Sequence, residues 1–190
     1  TAALHTLSRG VMKMSAVMMP CVGSAGGEVV LEVQRGGKWG EAARAKFGAP
    51  DYTAVFRLAD WQADGRIPYR LKYANTVYKG AIRPEPGRGQ LRLAALSCVH
   101  QVKHGFGRDG YLWSRESLWF PHADLCERLE QQNPDLLFFA GDQIYEGASP
   151  TPPSRGDDAG LDYLYKWYMF CWAFRDVARE RPAVVIPDDH

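Results

Sequence analysis

Three short apolar runs in the second half of this 190-residue sequence each end in side chains that can hold a metal ion or move a proton. Leu91 to Val99 (LRLAALSCV) delivers Ser97 and Cys98, with His100 just beyond. Leu136 to Ala140, inside NPDLLFFAGDQIYE, stops at Gly141-Asp142, and Tyr145 and Glu146 follow. Ala183 to Ile186 (AVVI) delivers Pro187, Asp188, Asp189 and His190. A carboxylate directly after a buried strand sits at the strand's carboxyl end, where open α/β sheets place their chemistry. One such end means little, since a strand, a glycine turn and a solvated Asp account for it. Three together argue for a metal site, because oxygen, nitrogen and thiolate donors must come from different segments to surround an ion. Two neighbouring metals bridged by a carboxylate can clamp a phosphate and supply hydroxide near neutral pH. Asp142, short and held at a rigid strand end, suits that bridging place.

The elements around these residues would bring them together. Pro121 to Gln132 (PHADLCERLEQQ) reads as a helix begun by proline, with Leu118, His122, Leu125, Cys126 and Leu129 on one face. Asn133-Pro134 ends it. The unbroken run at 136–140 suits a strand buried on both faces of a helix-covered parallel sheet. Residues 147–160 (GASPTPPSRGDDAG) are too rich in Pro and Gly for regular structure, and a loop of this length in a compact domain is often functional. Leu161 to Arg181 reads as one long helix, apolar around most of its girth and closed by Pro182, with Cys171 buried in it. Strand–helix alternation implies parallel strands with their carboxyl ends on one edge, so the three clusters would converge.

The first half differs in kind. Residues 1–10 carry little pattern. Met14 to Met19 suits an edge strand, and its methionines suit core filling. Val29 to Gln34, Tyr52 to Leu58, Pro68 to Tyr73 and Val77 to Ile82 read as short strands with turn residues between them. Glu41 to Phe47 is Ala-rich, as in a helix, but has strands on either side. Arg83 to Gly89 (RPEPGRG) is a rigid polar linker. The spacing predicts a fibronectin- or immunoglobulin-like sandwich over residues 1–88 and the first part of an α/β domain over 89–190. Trp39 and Trp61 are expected as packing anchors.

Composition excludes several classes. With 46% hydrophobic and 24% charged residues the chain can bury a core, and a net charge of +1 gives no field for nucleic acid. No apolar stretch approaches the ~20 residues of a spanning helix. Four scattered cysteines, Cys21, Cys98, Cys126 and Cys171, form no CxxC pair, so neither a disulfide framework nor a four-thiolate zinc site is expected. Gly105 to Gly110 (GFGRDG) formally matches a dinucleotide fingerprint, but no helix is expected to open there, so no cofactor-binding site is assigned. A flexible active-site loop suits it better, with Arg108 and Arg115 as candidate phosphate contacts. His100 and His104 have helical zinc-pair spacing but lie in a loop without the Glu of HExxH. His5 and His122 are expected as surface or helix residues of no special role. The chain stops on His190, directly after a strand-like run, and is expected to be a fragment.

Leu96-Ser97-Cys98, PDLLFFAGDQIY at 134–145 and IPDDH at 186–190, in this order after a small sandwich, resemble the alkaline phosphatase D (PhoD-like) family of metallophosphoesterases. The resemblance covers roughly residues 11–190. It implies a four-layer α/β/β/α fold and metal-dependent hydrolysis of a phosphomonoester or phosphodiester substrate by a metal-activated water. It implies Cys98 as a thiolate ligand, Asp142 as the bridging carboxylate, Tyr145 as a phenolate ligand and Asp189 as a further ligand. His190 would be the acid beside them. Cysteine with tyrosine implies a ferric ion, with calcium or another divalent ion beside it. His100, where the wider superfamily has the second ligand of its Asp-x-His motif, is a further ligand candidate. The family's remaining histidine ligands lie beyond His190, so this fragment alone is expected to be inactive. Family members are mostly exported, which implies an extracytoplasmic place. The competing expectation is a non-catalytic sandwich that binds a surface polymer, with the α/β region as a remnant.

Overall fold

The computed structural model describes residues 1–19, 26–87, 89–99, 122–145, 156 and 158–187. Seven strands form two antiparallel sheets. The first holds β1 (Ala2–Ser8), β2 (Val11–Val17) and β5 (Thr53–Leu58) in the order β1-β2-β5. The second holds β3 (Gly27–Arg35), β4 (Lys38–Phe47), β6 (Ile67–Tyr73) and β7 (Thr76–Ile82) in the order β4-β3-β6-β7. Met12, Met14, Ala16, Ala54 and Phe56 of one sheet pack on Val29, Leu31, Val33, Tyr69 and Leu71 of the other. Each set alternates along its strands, which is what a one-sided strand needs. This is the expected sandwich.

Four expectations for it are corrected or settled. The first residues do have structure: they form β1. The methionine-bearing strand is central in its sheet, not at the edge, because β1 pairs with it through Ala2↔Val17 to Ser8↔Val11. The Ala-rich stretch is strand β4, held by its ladder to β3 despite its helical composition. Trp61 is buried in the sandwich core with Arg35 over its ring, and Arg70 lies over Trp39, so both indoles serve packing.

The third sheet is parallel: β8 (Leu93–Leu96), β9 (Leu136–Ala140) and β10 (Ala183–Ile186), in the order β10-β9-β8. Between β8 and β9 lies α1 (Ala123–Gln132). Between β9 and β10 lie α2 (Asp158–Ala173) and the single turn α3 (Arg175–Ala178). The expected long helix is thus broken at Phe174, whose φ of −98° and ψ of 7° leave the helical region. No Gly or Pro marks that break in the sequence. Phe174 is buried against Phe139 and Phe170 with ring centroids 5.0 and 5.4 Å away, so tertiary packing sets the bend.

Strand β9 is not buried on both faces. Leu137 and Phe139 are fully covered by Leu129 of α1 and by Phe170, Phe174 and Val177, whereas Leu136, Phe138 and Ala140 are half-buried. Leu93 and Ile186, on that second side of the sheet, are exposed. Among the described residues the helices lie on one face of the sheet, and one-sided cover turns a continuous apolar run into alternating burial. No helix among the described residues is long and apolar enough to cross a membrane.

Candidate metal centre at the strand ends

Parallel pairing aligns Leu96 of β8 with Phe139 of β9, so both strands finish at the same edge. Two residues past the end of each strand stands a ligand candidate, Cys98 after β8 and Asp142 after β9. Both have left-handed backbones, with φ of 56° and 57°. For a residue with a Cβ this conformation is uncommon, and such strain gathers at functional sites. Gly141, at φ 91°, supplies the freedom to turn out of β9.

These turns bring the side chains together. Cys98 Sγ donates to Asp142 Oδ2 at 3.4 Å, and Tyr145 Oη donates to the same oxygen at 3.1 Å. Ser97 Oγ lies 3.4 Å from Cys98 Sγ. Asp142 is buried, and its other oxygen, Oδ1, has no hydrogen-bond partner. Burial raises the Tyr145 phenol above its ordinary pKa, and hydrogen bonds with Cys98 and Asp142 raise it further. The phenol is therefore held in its protonated form. Thiol, carboxyl and phenol so grouped could offer three anionic donors to one ion, and the orphaned Oδ1 leaves one carboxylate oxygen open. Among the described residues no three His, Cys, Asp or Glu side chains come together, so Tyr145 is what completes the trio.

Sequence reasoning missed Gln143. This buried side chain donates through Nε2 to Phe139 O at 3.3 Å and to Ile186 O at 3.2 Å. It ties the end of β9 to the end of β10 and so fixes the loop that holds Asp142. The only sequence signal is a polar residue next to a strand-end Asp. The remaining candidates, His100, Arg108, Arg115, Asp189 and His190, lie outside the described residues, as do Asp188, Glu146, the 105–110 motif and the 147–155 stretch.

The expectations for Cys126 and Cys171 hold, and Cys21 lies outside the described residues. Cys171 is buried in the α/β core, and burial pushes its thiol well up. Cys126 donates to Ala173 O at 3.4 Å, and burial pushes its pKa up to about 11. His122 precedes α1 in a left-handed conformation and stacks on Phe174, with centroids 5.5 Å apart. His5 departs from expectation: it is a strand residue, 1% exposed.

No family model matches the sequence, and neither does a curated protein. Among solved structures, one described as "Structure of PhoD" is similar to this chain with a TM-score of 0.69 at 15% identity. The alignment covers 100% of this chain and 38% of that one, so the chain spans less than half the length of the protein it matches. At this identity the likeness is one of fold, and on it the chain has a PhoD-like fold.

Proposed function

We propose that this chain carries part of the metal centre of a phosphoester hydrolase, with Cys98, Asp142 and Tyr145 as ligands. The observation that supports it best is the double donation onto Asp142 Oδ2 beside an orphaned Oδ1. A cation in that place would replace both protons and satisfy the open oxygen. Thiolate and phenolate donors beside a carboxylate suit a ferric ion, and the bridging carboxylate suits calcium or another divalent ion next to it. When bound, such a pair supplies charge stabilisation for phosphoryl transfer and a nucleophile from water near neutral pH.

The chain's own residues do the rest. Asp142 holds the centre at a rigid strand end, and Gln143 locks the loop that presents it. Asp189 is the proposed further ligand, and His190 the proposed acid for the leaving oxygen. Arg108 and Arg115 are proposed phosphate contacts, and His100 an alternative ligand. An extracytoplasmic place belongs to this reading through the resemblance to exported phosphatases.

Metal content and the visible absorption spectrum test it, on the purified protein extended past His190 and on its Tyr145→Phe variant. The expected result is bound iron with a visible band that the variant loses. Zinc or manganese without a band would keep the hydrolase reading and move ligand roles towards His100. A folded protein that retains no metal would overturn it.

A further inference from the structure

Strand β1 belongs to two cores at once. Ala3 packs in the sandwich core, while Ala2 and Leu4 on its other face pack with Phe139, Phe170, Phe174 and Val177. Val17, the register partner of Ala2, joins that second core. His5 follows on the sandwich side. It is 1% exposed, and neither Nδ1 nor Nε2 has a hydrogen-bond partner.

Among the described residues, the groups around His5 offer no counter-charge. Its register partner on β2 is the apolar Met14, and the neighbouring Lys13 is exposed. On β6 the ring of Tyr69 meets it edge-on, with centroids 6.3 Å apart. The Tyr69 hydroxyl is itself buried and unpartnered. It sits where a Cβ on Gly80 would come within 2.5 Å of it and 2.4 Å of Arg179 O. Around this point β7 is fastened to the region of α3, with Ala81 N donating to Arg179 O at 3.1 Å and Tyr78 Oη to Arg175 O at 3.4 Å. Arg179 and Glu180 act on Tyr69 with opposite signs. His5 thus lies on the sandwich face of the strand that both cores share, and among the described residues no carboxylate stands against it to receive a proton's charge.

We infer that His5 makes β1 an acid-sensitive latch, so that a proton taken up there disengages β1 from both cores and loosens the sandwich and the strand ends together. An imidazolium without a partner is far costlier to bury than a neutral ring. Burial correspondingly lowers the His5 pKa from 6.5 to about 4. A folded-state value below the unfolded one means the unfolded chain binds more protons between the two. Stability is therefore full above the unfolded pKa and falls as pH drops from about 6.5 towards 4. With those two values the opening equilibrium grows roughly 30-fold from pH 7.5 to pH 5 through His5 alone.

Peptide-resolved hydrogen exchange at pH 7.5 and pH 5 tests the latch, comparing the whole wild-type chain with His5→Phe and with His5→Gln. Comparison at equal pH cancels the intrinsic chemistry of exchange. Neither replacement titrates, and Gln keeps the test readable if Phe does not fit. The expected result is that the ratio of wild-type to variant exchange rises roughly 30-fold on going to pH 5. The rise should appear in β2 and β5 and equally in α2 and β9. A ratio that does not change with pH, or one that changes in the sandwich peptides alone, would overturn the inference. Neither result depends on whether a metal binds.

Discussion

At the scale of single residues, the candidate centre rests on two backbone turns of unfavourable hand. Cys98 and Asp142 hold φ near +56° and +57°. A left-handed conformation costs an ordinary L-residue roughly 1–2 kcal/mol, and Asp bears it better than Cys because its short polar side chain bonds locally. Cys98→Gly would remove that strain together with the weak hydrogen bonds of the thiol to Asp142, Ser97 and Tyr145. We expect the metal-free Cys98→Gly chain to be as stable in urea as the metal-free wild type, or up to about 1 kcal/mol more stable, and to bind less of the metal assigned to the proposed centre. A fall of more than about 1 kcal/mol would mean that Cys98 serves packing and not a site. Gln143→Ala should behave oppositely. It removes two hydrogen bonds between strand ends and should cost about 1–2 kcal/mol, read from urea midpoints. The types and order of Cys98, Asp142 and Tyr145 were legible because each follows an apolar run. The handedness of their turns was not, since neither Cys98 nor Asp142 is the Gly or Asn that announces a positive φ.

At the scale of elements, legibility followed how far local pattern and tertiary context agree. Strand β9 could be read from Asn133-Pro134 before it, the apolar run, and Gly141 after it. Its one-sided cover could not, because an unbroken apolar run does not say how many layers will cover it. The break at Phe174 left no mark because aromatic packing on Phe139, not backbone chemistry, makes it. β1, with AALHTLS, has small residues on both faces because two cores close on it, and this erases the period-2 contrast a strand normally shows. Gly80 is the converse case, a glycine inside a strand whose need comes from another element. A Cβ there meets Arg179 O at 2.4 Å, a backbone atom that cannot swing away. Gly80→Ala is therefore expected to destabilise by about 1–3 kcal/mol, measured by urea denaturation, by pushing β7 off the α3 region. A Gly80→Ala chain as stable as the wild type would mean that this contact yields without cost.

At the scale of the whole molecule, the change in composition near Leu91 marks a change of architecture, from antiparallel sandwich to parallel sheet. It does not mark the end of one core and an independent start of another. Ala2, Leu4 and Val17, from the first strands, lie in the core built by α1, α2 and β9. Polar contacts span the same seam: Arg83 Nη1 donates to Asn133 Oδ1 at 2.7 Å and Arg66 pairs with Glu180, while Arg9 N donates to Glu85 Oε1 at 3.0 Å and ties the linker to the sandwich. Buried Arg181 grips Glu130 through both terminal nitrogens, at 2.8 and 3.0 Å, and reaches the same Asn133 at 3.3 Å. The more exposed contacts across the seam, such as Arg66–Glu180, are worth little singly. The apolar sharing of β1 is what couples the halves, because pulling it away uncovers side chains in both cores. A chain so built should unfold in one calorimetric transition at pH 7.5, with van't Hoff and calorimetric enthalpies equal. Two resolved peaks would mean that the sandwich melts by itself. That outcome would favour a sandwich that acts as a separate recognition module, whereas a single peak fits a sandwich whose work is to brace the strands that carry Cys98 and Asp142.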